Sequence, residues 1–300
     1  MATTPPKKNA TPAKKAPAKK PANRGASRRP AGLFTWLAIG IVVVLIVVIV
    51  VVKATSSGPT KQSTAFVPAS PTVVHEVTTI PASVFDTVGI TAPAVPVSAP
   101  LAPKASQKVL EWPDANGVLR PTVYYEGAEF CPYCAAERWS LIIALSRFGT
   151  FSDLGNAESS NTDLFPNTQT FTFLKAKYVS SYINFSSIEQ TDVNHNPLQT
   201  PNAKQSALFA QWNQGGSIPF ISYGNQFFKI GSSYTPDALK GLSREQIAGN
   251  LNDSTNLLTQ GIVTSANYAT AAICKATGNK PGNVCNSAGV KAAKTAMGIK

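Results

Sequence analysis

Histidine is almost missing from this chain: two residues in 300, His75 and His195, isolated from each other. Cysteine is nearly as scarce, with four residues at 131, 134, 274 and 285. A structural zinc site takes about four Cys or His ligands, and the single CxxC here has no second one near it, which argues against a metal. Covalent haem attachment would need histidine directly after the CxxC, where the chain has Ala135. No internal repeat is evident, and no bound cofactor is expected.

Acidic residues are missing from 1–30, where nine Lys/Arg stand among Ala, Pro, Thr and Asn. Such a segment cannot bury enough apolar surface to offset chain entropy, so it reads as a disordered basic tail. Beyond it, eighteen basic residues face fifteen acidic ones. The net charge of +12 therefore belongs mostly to the tail, and the folded part is nearly neutral. Charge of either sign is missing from 33–52, LFTWLAIGIVVVLIVVIVVV, between Arg29 and Lys53. Twenty residues at about 1.5 Å rise span roughly 30 Å, the hydrocarbon thickness of a bilayer, so this reads as one transmembrane helix. A cleaved signal peptide is the rival, but its apolar region is usually about 7–15 residues long. The basic flank precedes the span, which predicts a single-pass protein with a cytoplasmic N-terminus and an extracytoplasmic remainder. The tail and span would meet membrane lipid; contact with nucleic acid is not expected. All four cysteines then lie where disulfides persist.

Residues 53–103 are rich in Pro, Ala, Ser and Thr and predict an extended stalk. Within them, 75–90 (HEVTTIPASVFDTVGI) carries enough Val, Ile and Phe to make a strand or a short packed segment. The domain proper is expected over 104–300. A strand at 121–126 leads to a helix opening at Cys131, and Gly149 is a plausible stop. The insertion 150–215 should hold a loop and short helix at 151–168, strands at 171–179 and 180–190, and a helix at 203–214. A hairpin follows at 219–223 and 226–230, then helices at about 235–252 and 255–277, and a short one after Asn286. That order predicts an α/β or α+β domain built on one sheet.

The feature with chemistry is Cys131-Pro132-Tyr133-Cys134 at a strand-to-helix junction. The first turn of a helix has free N–H groups and the positive end of the dipole, which stabilise the thiolate that attacks disulfides. Pro132 suits that turn because its missing N–H costs nothing there. Cys131 is the expected nucleophile and Cys134 the resolving thiol. As an inert bridge the pair would brace little, since so short a loop constrains few unfolded conformations. Glu137 and Arg138 read as a solvated helix face and Trp139 as core. Phe130 and Tyr133 flank the cysteines and are candidate substrate contacts. Cys274 and Cys285, across the turn-rich KATGNKPGNV, are expected to form a structural disulfide; a redox relay, intermolecular pairing and free thiols are the alternatives.

FCPYC on a strand–turn–helix, with Ile218-Pro219 later at a strand start, resembles the thioredoxin-like superfamily, including its DsbA-like members. The resemblance implies a central mixed sheet flanked by helices, with a cis-proline at Pro219 facing the cysteines and Ile218 offering backbone to a substrate chain. The run FCPYCAAERWSLIIALSRFGTFS (130–152), with GSIPF (216–220) and the basic anchor, also resembles actinobacterial and archaeal members of family 929 of domains of unknown function. Pro132-Tyr133 is the dipeptide of glutaredoxins, but no glutathione-binding pattern is legible. The expected function is a membrane-anchored thiol–disulfide oxidoreductase acting on secreted or cell-envelope proteins, with a membrane redox partner to recycle it. The alternative is a non-catalytic envelope binding or scaffold domain.

Overall fold

A computed structural model of the chain describes residues 60–300. The tail 1–30 and the span 33–52 lie outside the described residues. Among the described residues no helix is long and apolar enough to cross a membrane.

Strand alternation sets the architecture. The elements are strands β1 (Val67–Pro68), β2 (Glu111–Pro113), β3 (Leu119–Gly127), β4 (Gly149–Ser152), β5 (Gly155–Glu158), β6 (Gln169–Thr172), β7 (Lys177–Ser180), β8 (Asn184–Glu189), β9 (Phe220–Tyr223) and β10 (Phe227–Ile230). The helices are α1 (Pro71–Thr78), α2 (Ala82–Val88), α3 (Pro132–Ser146), α4 (Ala203–Trp212), α5 (Arg244–Asn250), α6 (Leu257–Ala276), α7 (Gly282–Cys285) and α8 (Ala288–Ala296). The main sheet centres on β3, which pairs parallel with β8 and antiparallel with β9; β10 pairs antiparallel with β9, and β2 pairs antiparallel with the start of β3. Side chains alternate across a strand. Val123, Tyr125, Ile221 and Tyr223 therefore face a large core with α3 and α6, while Tyr124 and Phe220 face a smaller one with Leu208 of α4.

Helix α3 was expected to bury one side only. It is buried along its whole length except Tyr133 and Ser146, because α6 and α1 pack against it as well. Its end is also differently made: Arg147 is the C-cap, and Gly149 already lies in β4. A side chain at Gly149 would collide with β7, so close strand approach, not helix termination, requires glycine there.

The stalk expectation needs correction for residues 60–103. They are part of the folded unit: Val73, Val77, Val84, Phe85 and Val88 enter the main core, and β1 pairs with β5. The segment 75–90 is the packed segment of the two alternatives, formed from helices and not as a strand. The prolines of this region do not break its helices, since Pro71 occupies the first turn of α1 and Pro81 is the N-cap of α2. Gln62 is gripped at several points. Its N–H donates to Asn194 Oδ1 at 3.1 Å, its carbonyl accepts from Asn194 Nδ2 at 2.8 Å, its Nε2 donates to Glu158 Oε1 at 2.9 Å, and its Oε1 accepts from the Asn161 N–H at 2.8 Å.

The insertion also differs. Within 151–168 the expected loop is found over 159–168, but in place of a short helix the segment contributes to β4 and forms β5, which build two small sheets, β1-β5-β6 and β4-β7. The hairpin β9–β10 turns through Gly224 and Asn225, both at positive φ, as such turns demand. The helix expected over 235–252 is divided into a 3-10 turn, Pro236–Leu239, and α5, with Gly241 at positive φ between them.

Candidate redox site

Cys131 is the N-cap of α3. Its extended backbone lets its carbonyl accept the Ala135 N–H at 3.0 Å, while its Sγ accepts the Cys134 N–H at 3.2 Å. A sulfur thus fills the capping role usually played by Ser or Asp oxygen. Both cysteines are free thiols; Cys131 is 5% exposed and Cys134 is fully buried. The pair divides a negative charge unequally. Hydrogen bonding from Cys134, helped by the Arg138 cation, holds Cys131 below the ordinary thiol value, whereas burial and the neighbouring Cys131 push Cys134 well above it. Cys131 is thus the more readily ionised sulfur of the two, and Cys134 the one that keeps its proton.

Ile218-Pro219 is a cis peptide bond. The Ile218 carbonyl lies 3.9 Å from Cys131 Sγ, and the Pro219 carbonyl accepts the Gly231 N–H at 2.8 Å. Ile218 therefore meets Cys131, with Pro219 buried behind it. Phe130 and Tyr133 meet different ring partners. Phe130 lies against His195, ring centres 4.0 Å apart, and half-exposed Tyr133 meets the edge of Phe165 at 5.9 Å. Tyr133 also borders an open groove of about 500 Å³ with Pro96, Val97 and the 231–235 loop.

The solvated face expected for Glu137 and Arg138 is absent; both are fully buried. Arg138 forms a two-pronged pair with Glu189 and donates to the Ala128 carbonyl at 2.8 Å. Glu137 accepts from the Ser233 N–H at 2.6 Å and the Ser233 hydroxyl at 3.1 Å, and burial raises its pKa to about 7 against the opposing effect of Lys229. The reason is tertiary: β8, β10 and the 231–235 loop supply partners that a helical wheel cannot display. Trp139 is core, donating Nε1–H to the Gln169 carbonyl at 3.0 Å. Tyr125 and Glu189 went unnoticed in the sequence, and His195 was read only as isolated; for Arg138, a spacing of four from Cys134 was the available signal, since such pairs share a helix face.

Cys274 and Cys285 are joined in a disulfide that ties α6 to α7. Among the described residues no group of three or more His, Cys, Asp or Glu is placed to hold a metal ion.

No curated protein and no solved structure matches the chain. Residues 115–208, a stretch that contains both Cys131 and Cys134, match the model of a domain of unknown function, DUF929, and the match supports assigning this segment to that family.

Proposed function

We propose that the chain is a membrane-anchored, extracytoplasmic thiol–disulfide oxidoreductase with a thioredoxin-like core, acting on secreted or cell-envelope proteins. The observation that carries the reading is the unequal pair at the start of α3: Cys131 capping the helix with its sulfur and Cys134 protonated beneath it. In this reading the Cys131 thiolate attacks a substrate disulfide. One substrate sulfur leaves with the electron pair, and Cys131 is held in a mixed disulfide that Cys134 resolves. Run backwards, the same steps oxidise a substrate dithiol. The order β10-β9-β3 with β8 parallel to β3 is that of a thioredoxin-like core and supports the fold assignment. Ile218, its carbonyl facing Cys131, supplies backbone to the substrate chain, with Phe130 and Tyr133 as its apolar flanks. The anchor rests on the uncharged run 33–52 with its basic flank, and a membrane redox partner would recycle the pair.

The test is insulin reduction and refolding of a scrambled disulfide protein by the detergent-solubilised chain. Cys131→Ser should abolish exchange and Cys134→Ser should accumulate mixed disulfides. If neither variant differs from wild type, the reading is lost. The near-complete burial of Cys131 favours a second reading, a scaffold domain with an inaccessible pair. Thiol alkylation across a redox titration separates the two, because a working pair titrates reversibly near ambient potential.

A further inference from the structure

Resolution of a mixed disulfide needs a Cys134 thiolate, in a place where burial opposes charge. Two donors stand unused beside that sulfur. The Tyr125 hydroxyl and Arg138 Nη1 are buried, and neither has a hydrogen-bond partner among the described residues. Buried donors are seldom left so, because an unmade hydrogen bond is costly. Their positions converge. Cys134 and Arg138 are four residues apart on α3 and so share one face. On β3, a Cβ at Gly127 would overlap the Tyr125 hydroxyl and lie 3.1 Å from Cys134 Sγ, so phenol oxygen and sulfur both border that glycine. The Arg138 guanidinium carbon is 5.7 Å from the Tyr125 ring centre.

We infer that Tyr125 and Arg138 form a built anion site for the Cys134 thiolate, filled during resolution of the mixed disulfide; this rests on the oxidoreductase reading above. While Cys131 is itself anionic, it opposes a second charge on Cys134. Once Cys131 is bonded to a substrate sulfur that opposition is gone. Arg138, its charge partly offset by Glu189, then acts with the Tyr125 hydroxyl and the Ala128 N–H on the buried sulfur. Cys134 Sγ attacks Cys131 Sγ, the bond between them forms, and the bond from Cys131 to the substrate breaks. The electron pair leaves on the substrate sulfur, which takes up the proton that Cys134 released. Tyr125 keeps its proton throughout, its phenol being held well above the ordinary value by burial. Both side chains are positioning residues for the second sulfur.

The test is the titration of the Cys134 ¹³Cβ resonance in the full chain carrying Cys131→Ser, which removes the competing charge. Tyr125→Phe keeps the ring and should raise the Cys134 midpoint by about one unit or more, the effect of losing one hydrogen bond to a charged group. Glu189→Gln frees the Arg138 charge and should lower it. A midpoint unmoved by Tyr125→Phe, or raised by Glu189→Gln, overturns the inference, and the second variant decides if the first does not fold. Insulin reduction by the wild-type chain is read in parallel. Shifted midpoints without reduction leave the anion site standing and remove the oxidoreductase reading; reduction with unmoved midpoints removes the anion site alone.

Discussion

Arg138 donates two hydrogen bonds to the Glu189 carboxylate, Nη2 to Oε2 at 2.6 Å and Nε to Oε1 at 3.0 Å, with both side chains closed to solvent. The pair joins the helix that carries the cysteines to the end of β8, and Glu189 also accepts the Phe173 N–H at 3.2 Å. Its weight lies less in attraction than in the charge that would be left if one partner went.

Arg138→Met or Glu189→Leu alone should therefore cost about 3–5 kcal/mol, and the double replacement distinctly less than the two together. Urea unfolding of all four chains checks this. Additive losses would mean that the two charges are not paired in solution.

Cys131 should react with iodoacetamide along a pH profile whose midpoint lies below the ordinary thiol range. Hydrogen bonding with Cys134 is the largest cause of that lowering, so Cys134→Ala should move the midpoint upward. An unchanged midpoint would leave the helix terminus and Arg138 as the whole cause.

Glu137 predicts a stability slope on the acid side. Its folded pKa, about 7, is above its ordinary 4.5, so the unfolded chain ionises first. The folded state is favoured below pH 4.5 and loses that advantage as pH rises to about 7, after which the effect is level. The whole loss should be about 3 kcal/mol. Glu137→Gln, which can still accept from the Ser233 N–H, should flatten the slope; thermal unfolding between pH 4 and 8 would show a persisting slope if another group were responsible.

Cys274 and Cys285 are separated by 11 positions. A bridge over so short a loop should contribute about 2–3 kcal/mol. Replacing both by Ala should lower the unfolding free energy in urea by that much and leave insulin reduction at 25 °C unchanged. A loss of reduction in a folded double variant would instead tie this bridge to the redox work.

Local signals made much of the fold readable. The β-rich apolar run at 121–126, the helix opening after Cys131, the Gly224-Asn225 turn and the α4 and α6 helices all follow from residue types and spacing within a short stretch. Elements set by distant partners were hidden. Strands β4 and β5 are four residues each, rich in Gly, Ser and Asn, and exist because β7, β1 and β6 pair with them. Pro71 and Pro81 suggested a stalk because a proline at a helix start and one in an extended chain look alike in sequence. At the site, the cysteines and Ile218-Pro219 were legible as motifs. The burial of Glu137 and Arg138 was not, since charged residues on an apolar helix read as its wet side until Ser233 and Glu189 are known to face them.

Gln62 gives the folded unit a defined point of entry. Just upstream of it the Thr60 carbonyl accepts from Asn161 Nδ2 at 2.9 Å, so Thr60 and Gln62 together fasten this segment to Asn161 and Asn194. Asn194 is followed by His195, whose ring rests on Phe130, the neighbour of Cys131. Contacts and chain neighbours thus link Gln62 through Asn194, His195 and Phe130 to Cys131.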